Sequence, residues 1–189
     1  VQRDAVDLSR ICVDLASLLR SSIPRSVTIV CEVEQGIHVM GNAAELHQLV
    51  MNLMLNSRDA MPDGGELVVA LTSLPGVTPR SLLLRVSDTG AGIAEDVLPD
   101  IFEPFFSTKS ERGFGLGLAT VHDAVLTHGG SVEVRSQVGV GTTFTVTLPM
   151  ATKTLEAQRV LTRPPPPEGV GARILLVDDA PTLRRGMRR

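Results

Sequence analysis

Four short stretches of this chain carry residues whose types and spacing could do chemistry. In "LVMNLMLNSRDAM", residues 49–61, two carboxamides and a carboxylate recur as Asn52, Asn56 and Asp59. At about 100° per residue these three share a narrow stripe of a helix with Glu45 and Gln48. Leu55 borders that stripe on one side, and Leu49 with Ala60 on the other, an unusual frame for a solvated face. Carboxamide and carboxylate oxygens so arranged suit a hard, oxygen-ligated cation such as Mg²⁺ carried by a triphosphate. The plainer alternative is an ordinary polar face.

The second stretch, "VSDTGAGI", places Asp88 at the end of an apolar run, with Gly90 and Gly92 on alternate positions after it. Such an arrangement can be a simple turn. It can also be a pocket, in which a buried carboxylate accepts from an amino group while glycines let a flat ring lie against the backbone. That pocket favours adenine, whose 6-position donates, over guanine, whose 6-position accepts. An unpaired buried polar group costs roughly 1–3 kcal/mol, enough for about tenfold to hundredfold discrimination.

The third and fourth stretches adjoin. "IFEPFFSTK" holds three of the five Phe of the chain and ends on Lys109, while the only other lysine is Lys153. "RGFGLGLAT" then sets Gly113, Gly115 and Gly117 on alternate positions ahead of a helical pattern. A dinucleotide fingerprint would be G-x-G-x-x-G directly after a strand. Here the spacing is G-x-G-x-G after a Phe-rich loop, and alternating glycine ahead of a helix suits backbone that comes close to phosphate, in a dinucleotide-binding turn, a kinase loop or a nucleotide lid.

Positioning these groups requires a folded core, and the chain is long enough for one. Its 189 residues allow one full domain and part of a second. The helical segments are "DLSRICVDLASLL", with Asp7 as cap, "GNAAELHQLVMNLMLNSRDAM", with Asn42 as N-cap and Glu45 three residues on, and "LGLATVHDAVLTHGG". Leu46, Leu49, Val50, Leu53 and Met54 form the core face of the second, and His47, Met51 and Arg58 its wet side. "SVTIVCEV", "ELVVALTS", "SLLLRVSD", "SVEVRSQ" and "GTTFTVTLP" read as strands, the last two as a hairpin around "VGVG". The order predicts an α/β (α+β) two-layer sandwich, with a mixed sheet and helices on one face.

Composition removes several classes. A net charge of -3 argues against a nucleic-acid binder. No apolar run approaches the roughly 20 residues that span a bilayer, and no signal peptide is expected at the start. Cys12 and Cys31 sit in apolar patterns and read as buried free thiols of a cytoplasmic segment. Beyond Pro149, "TRPPPPEGVG" reads as a proline-rich linker (residues 151–172), and "RILLVDD" opens a terminal piece (residues 173–189).

Together, in this order, the four stretches resemble the catalytic ATP-binding domain of sensor histidine kinases, in the superfamily shared with gyrase B, heat-shock chaperone and mismatch-repair ATPases. "LVMNLMLNSRDAM" looks like the N box, "VSDTGAGI" the first glycine box, "FEPFFSTK" the F box and "GFGLGL" the second glycine box; "GVGTTFTVTLP" matches the closing strand pair. The resemblance implies a domain over residues 1–150, a Bergerat-type fold with a mostly antiparallel sheet, and ATP with Mg²⁺ as cofactors. By position it implies that Asn56 holds Mg²⁺, with Asn52 beside it near the phosphates and Lys109 reaching them, and that Asp59 belongs to the same nucleotide site. Asp88 would take the adenine amino group with Thr142 supporting that contact, directly or through water, while Gly90, Gly92 and Ile93 shape the base pocket. Gly113, Gly115 and Gly117 would form the lid hinge and phosphate cradle. Leu116 and Leu118 belong to the same nucleotide-binding segment, and their side chains are expected to seat the next helix in the core.

In the related ATPases a glutamate stands at the position of Asn52 and activates water. Asparagine is no general base, so the resemblance implies phosphoryl transfer rather than hydrolysis. The lid is short here, and Phe114 stands where the family often has a small polar residue. None of His38, His47, His122 and His128 has the family's phosphoacceptor setting, and all four read as surface or packing residues. The acceptor histidine is therefore expected on a dimerisation domain upstream, in a full-length homodimer. "ILLVDDAPTLRR" resembles the start of a response-regulator receiver, with Asp178 and Asp179 as its acidic pair. A clamp-type ATPase and a non-catalytic nucleotide-binding module are the alternatives.

Overall fold

The computed structural model describes residues 4–24, 26–76, 80–106 and 115–151. The chain divides between Lys153 and Thr154 into two compact units, and all of the described residues belong to the first. The linker beyond Ala151, the receiver-like segment, Lys109 and Gly113 lie outside the described residues.

Seven strands and three α-helices alternate along the described residues: β1 (Asp4–Asp7), α1 (Leu8–Ser22), β2 (Val27–Val33), β3 (His38–Gly41), α2 (Ala43–Asp59), β4 (Gly65–Leu74), β5 (Ser81–Asp88), α3 (Gly117–Thr127), β6 (Ser131–Gln137) and β7 (Gly141–Pro149). Five strands form one sheet in the order β2-β4-β5-β7-β6. Only β2 and β4 run parallel; the other neighbours are antiparallel. This is the expected mixed sandwich. The small sheet of β1 and β3 is an addition, pairing Asp4 with Gly41 and Asp7 with His38.

Alternation along the strands decides what faces the helices. Leu67, Val69 and Leu71 of β4, Leu82, Leu84 and Val86 of β5, and Phe144, Val146 and Leu148 of β7 are all buried. Leu46, Leu49, Val50, Leu53 and Met54 of α2 have no exposed surface, so the predicted core face is the real one. Met51 departs from its expected wet position. It is partly buried against the core, and only His47 of that side is fully exposed.

The helix ends explain how the site is held. Asp7 caps α1 by accepting from the Arg10 N–H at 2.9 Å. Asn42 caps α2 by accepting from the Ala44 N–H at 2.9 Å. Glu45 accepts from the Asn42 side-chain amide at 3.3 Å rather than from its backbone. The Asn42 backbone N–H turns instead to Nε2 of buried His128, at 3.3 Å. His128 Nδ1 lies 2.7 Å from the Ala124 carbonyl oxygen, which fixes the tautomer: Nδ1–H donates and Nε2 accepts. Any side chain at Gly41 would run into that imidazole, so glycine is required there by close approach. One histidine thus joins the end of α3 to the start of α2. Past it, the Gly129 and Gly130 N–H groups donate to Leu126 and Val125, closing α3 in a Schellman motif.

Candidate functional site

A cavity of about 730 Å³ opens between α2, the end of β5, the start of α3 and β7. Each wall has a local cause. The helical period brings Gln48, Asn52, Asn56 and Asp59 of α2 to the cavity; Glu45, read into the same stripe, does not line it and instead accepts from the Asn42 side chain. Arg58 also lines it, although its spacing placed it on the solvent side; its guanidinium donates to Asp59 Oδ1 from Nε at 2.9 Å and Nη2 at 2.6 Å. Val97, Ile101 and Phe106 form an apolar wall, the last two from the Phe-rich stretch singled out in the sequence.

Asp88 is the last buried position of β5, continuing the stripe of Leu82, Leu84 and Val86. Its Oδ1 accepts two backbone N–H groups, from Gly90 at 3.0 Å and Thr142 at 3.2 Å. Asp88 and Thr142 are register partners on β5 and β7, and both line the cavity. Thr142 therefore touches Asp88 directly through its backbone, while its hydroxyl bonds Ser136 at 2.8 Å. Sequence reasoning missed Ser136, which sits among alternating polar residues on a strand that reads as exposed.

The glycines divide by what they approach. Gly92 and Ile93 line the cavity, as do Gly115, Leu116, Gly117 and Leu118. Gly92 has φ +72, and a side chain there would meet the Gln137 carbonyl. Gly90 lies outside the lining and lets the loop pass under α2: a Cβ at 90 would stand 2.5 Å from the Ala60 oxygen, which accepts from Ala91 N–H at 2.9 Å. Gly115, with φ +66, packs against the backbone of Phe105 and Phe106, and its oxygen accepts from Phe105 N–H at 3.0 Å. Leu116 is 44% exposed beside the cavity, not seated in the core. It lies just before the first turn of α3, where none of the described residues buries it. Leu118 alone of the pair packs against the core, at its cavity edge.

Asn52 Nδ2 donates to the Gly117 carbonyl oxygen at 3.1 Å. Asn56 Nδ2 is buried with no hydrogen-bond partner among the described residues, an orphaned donor that a bound phosphate oxygen would satisfy while the amide oxygen serves a cation. Among those residues no group of three or more His, Cys, Asp or Glu could hold a metal. A divalent ion seated here would take one or two protein oxygens and the rest from phosphate and water, the coordination Mg²⁺ prefers. Asn56 fits that demand. The N–H groups of Gly117, Leu118 and Ala119, at the start of α3, have no intrahelical acceptor, and the first two residues line the cavity.

The sequence model of the family described as "Histidine kinase-, DNA gyrase B-, and HSP90-like ATPase" matches residues 41–152, which contain every described wall of the cavity. The chain belongs to that family. Among its histidine-kinase relatives, the sensor kinase CckA of Brucella abortus is 32% identical over 97% of this chain and 22% of its own length. The sensor histidine kinase ZraS of Escherichia coli is 44% identical over 59% of this chain and 23% of its own. The chain thus spans about a fifth of the length of these relatives. Of solved structures, the mycobacterial sensor histidine kinase MprB superposes with a TM-score of 0.69 at 28% identity, covering 78% of this chain and 97% of that one. Full-length ShkA in complex with AMPPNP also gives 0.69, at 27% identity, covering 80% of this chain and 32% of that one. The unit containing the cavity is a catalytic, ATP-binding domain of the histidine-kinase type. No helix of the described residues is long and apolar enough to cross a membrane.

Proposed function

We propose that this domain binds Mg²⁺-ATP in the cavity and donates the γ-phosphoryl group to a histidine on a dimerisation and phosphoacceptor domain upstream in the same protein. The observation that carries the reading is Asp88. Two backbone N–H groups hold its Oδ1 on the cavity wall, leaving Oδ2 to accept from the adenine 6-amino group. ShkA, a relative of the same fold, has been solved with an ATP analogue, which supports an adenine nucleotide here.

Around the base, Ile93 and Thr142 border the ring and Gly92 lets the loop lie flat against it. Around the phosphates, the α3 N-terminus supplies backbone donors through Gly117 and Leu118, and Gly113, Gly115 and Lys109 complete the cradle. Asn56 supplies a carboxamide oxygen to the divalent ion, and Asp59 lies at the same mouth. When bound, Mg²⁺ neutralises the charge that develops on the transferring phosphoryl. Asn52 contributes position, not base chemistry, since a carboxamide does not take a proton from water. Phosphoryl transfer asks mainly for such positioning and electrostatic support.

The wider arrangement follows from the same reading. The full-length protein is a homodimer, this segment works in the cytoplasm where ATP is available, and the phosphoryl passes on to a receiver. That receiver is either the one that residues 173–189 begin or a separate response regulator. The test is radiolabelled Mg²⁺-ATP offered to this chain with and without the phosphoacceptor domain of its full-length protein. Acid-labile label should appear on that domain, and on none of the four histidines of this chain. Sustained phosphate release without transfer would favour a clamp-type ATPase, and absence of nucleotide binding a non-catalytic module.

A further inference from the structure

We infer that Ser136, which does not line the cavity, sets base specificity by fixing which way the Thr142 hydroxyl points. The inference rests on the reading that Asp88 receives the 6-amino group of adenine. Ser136 Oγ accepts from the Ile93 N–H at 2.7 Å, and it lies 3.1 Å from the Gly141 carbonyl oxygen and 2.8 Å from Thr142 Oγ1.

A hydroxyl has one proton to give and two lone pairs with which to accept. The Gly141 oxygen can only accept, so the Ser136 proton goes there. One Ser136 lone pair takes the Ile93 N–H, and the other is left for the Thr142 proton. In that arrangement every donor and acceptor of the cluster is used. The alternative, with Ser136 donating to Thr142, gives up the bond to Gly141. Ser136 therefore draws the Thr142 proton away from the cavity and presents Thr142 Oγ1 to the ligand as a bare acceptor.

The consequence is a wall with two acceptors side by side, since Thr142 and Asp88 are register partners on the same buried face. An amino group at the purine 6-position has two protons to offer them. A 6-oxo group brings only lone pairs and is repelled. Without Ser136, the Thr142 hydroxyl is free to turn and donate to a 6-oxo purine. Ser136 is thus a positioning residue. It also ties the glycine loop to the hairpin that carries Thr142, reinforced by Gly139 N–H donating to the Ala91 oxygen at 2.8 Å.

The experiment compares ADP with inosine diphosphate, binding each to the wild-type chain, Ser136→Ala and Ser136→Thr by calorimetry, with melting curves as a control on folding. The wild-type chain should prefer ADP at least about tenfold, as expected when a buried polar group is left unpaired or opposed. Ser136→Ala should lower that ratio about fivefold, the net worth of one hydrogen bond, with Ser136→Thr restoring it. A purely structural serine would weaken both nucleotides in proportion; that result, or an unchanged ratio, overturns the inference while leaving the Asp88 reading intact. A wild-type chain that binds neither nucleotide, or both equally, overturns the Asp88 reading and this inference with it. Should Ser136→Ala fail to fold, Thr142→Val removes the same hydroxyl from the other side, and the same loss of preference is expected.

Discussion

The side-chain amide of Asn52, in the middle of α2, donates to the carbonyl oxygen of Gly117, the first residue of α3, at 3.1 Å. A residue that spacing marks for chemistry thus also fixes where α3 begins. The two assignments are compatible, because the amide nitrogen is engaged while the carboxamide oxygen is not held by that bond.

Asn52→Ala should therefore cost stability even without nucleotide. Loss of one partly buried hydrogen bond amounts to about 1 kcal/mol, or a fall of about 2–4 °C in the melting midpoint for a domain of this size. Asn52→Asp should fall further, since a carboxylate would face the Gly117 oxygen. Thermal unfolding of the nucleotide-free chain checks both, and an unchanged midpoint in Asn52→Ala would mean the tie carries no weight.

Asp88→Asn tests the base pocket with little risk to the fold. Its carbonyl oxygen can still accept from Gly90 and Thr142, but the amide at the second position meets the adenine amino group as donor against donor. ATP affinity should drop at least about tenfold. Calorimetry showing wild-type affinity would remove Asp88 from the adenine site.

Glu34 gives a pH dependence far from the cavity. The Ser73 N–H at 2.7 Å, and then the Ser73 hydroxyl at 2.9 Å, hold its carboxyl below the ordinary 4.5. A carboxylate with a depressed folded value adds stability above its unfolded value and loses it as pH falls through the folded one. The stability gap between wild type and Glu34→Gln should accordingly be present at neutral pH and close below about pH 4.5. A gap that persists or widens in acid would contradict this.

The two thiols should separate cleanly. Burial, then the neighbouring Cys31 and Asp7, push Cys12 up to about 12, and burial also raises half-buried Cys31, opposed by Arg20. At mildly alkaline pH a disulfide reagent should label Cys31 slowly and Cys12 only after denaturation. Rapid labelling of Cys12 in the folded chain would show that α1 opens readily.

The sequence was most legible where a single element carries the information. The α2 core face, its polar stripe and the buried end of β5 all follow from periods of 3.6 and 2, which need no knowledge of neighbours. It was least legible where meaning arises between distant segments. β1 and β3 are four residues each and gain their regularity only by pairing with one another. Ser136 lies on a strand of alternating exposure, and its role exists only because Ile93 and Thr142 converge on it. Gly90 and Gly92 share a motif but serve different contacts, one under α2 and the other against the β6–β7 hairpin. Leu116 looked like core because its neighbours are apolar, yet the described residues leave it 44% exposed, which no local pattern shows.

The bond from Phe105 N–H to the Gly115 oxygen closes the chain on itself at one point of the cavity wall. The two described ends that flank residues 107–114 are thereby pinned together. The free energy of closing such a loop rises only with the logarithm of its length, about 0.6 kcal/mol per doubling. A change in the length of chain between Phe106 and Gly115 therefore alters the closure cost only slowly. The bonds that hold Asp88 in place, from the Gly90 and Thr142 N–H groups, lie outside this stretch and do not depend on its length.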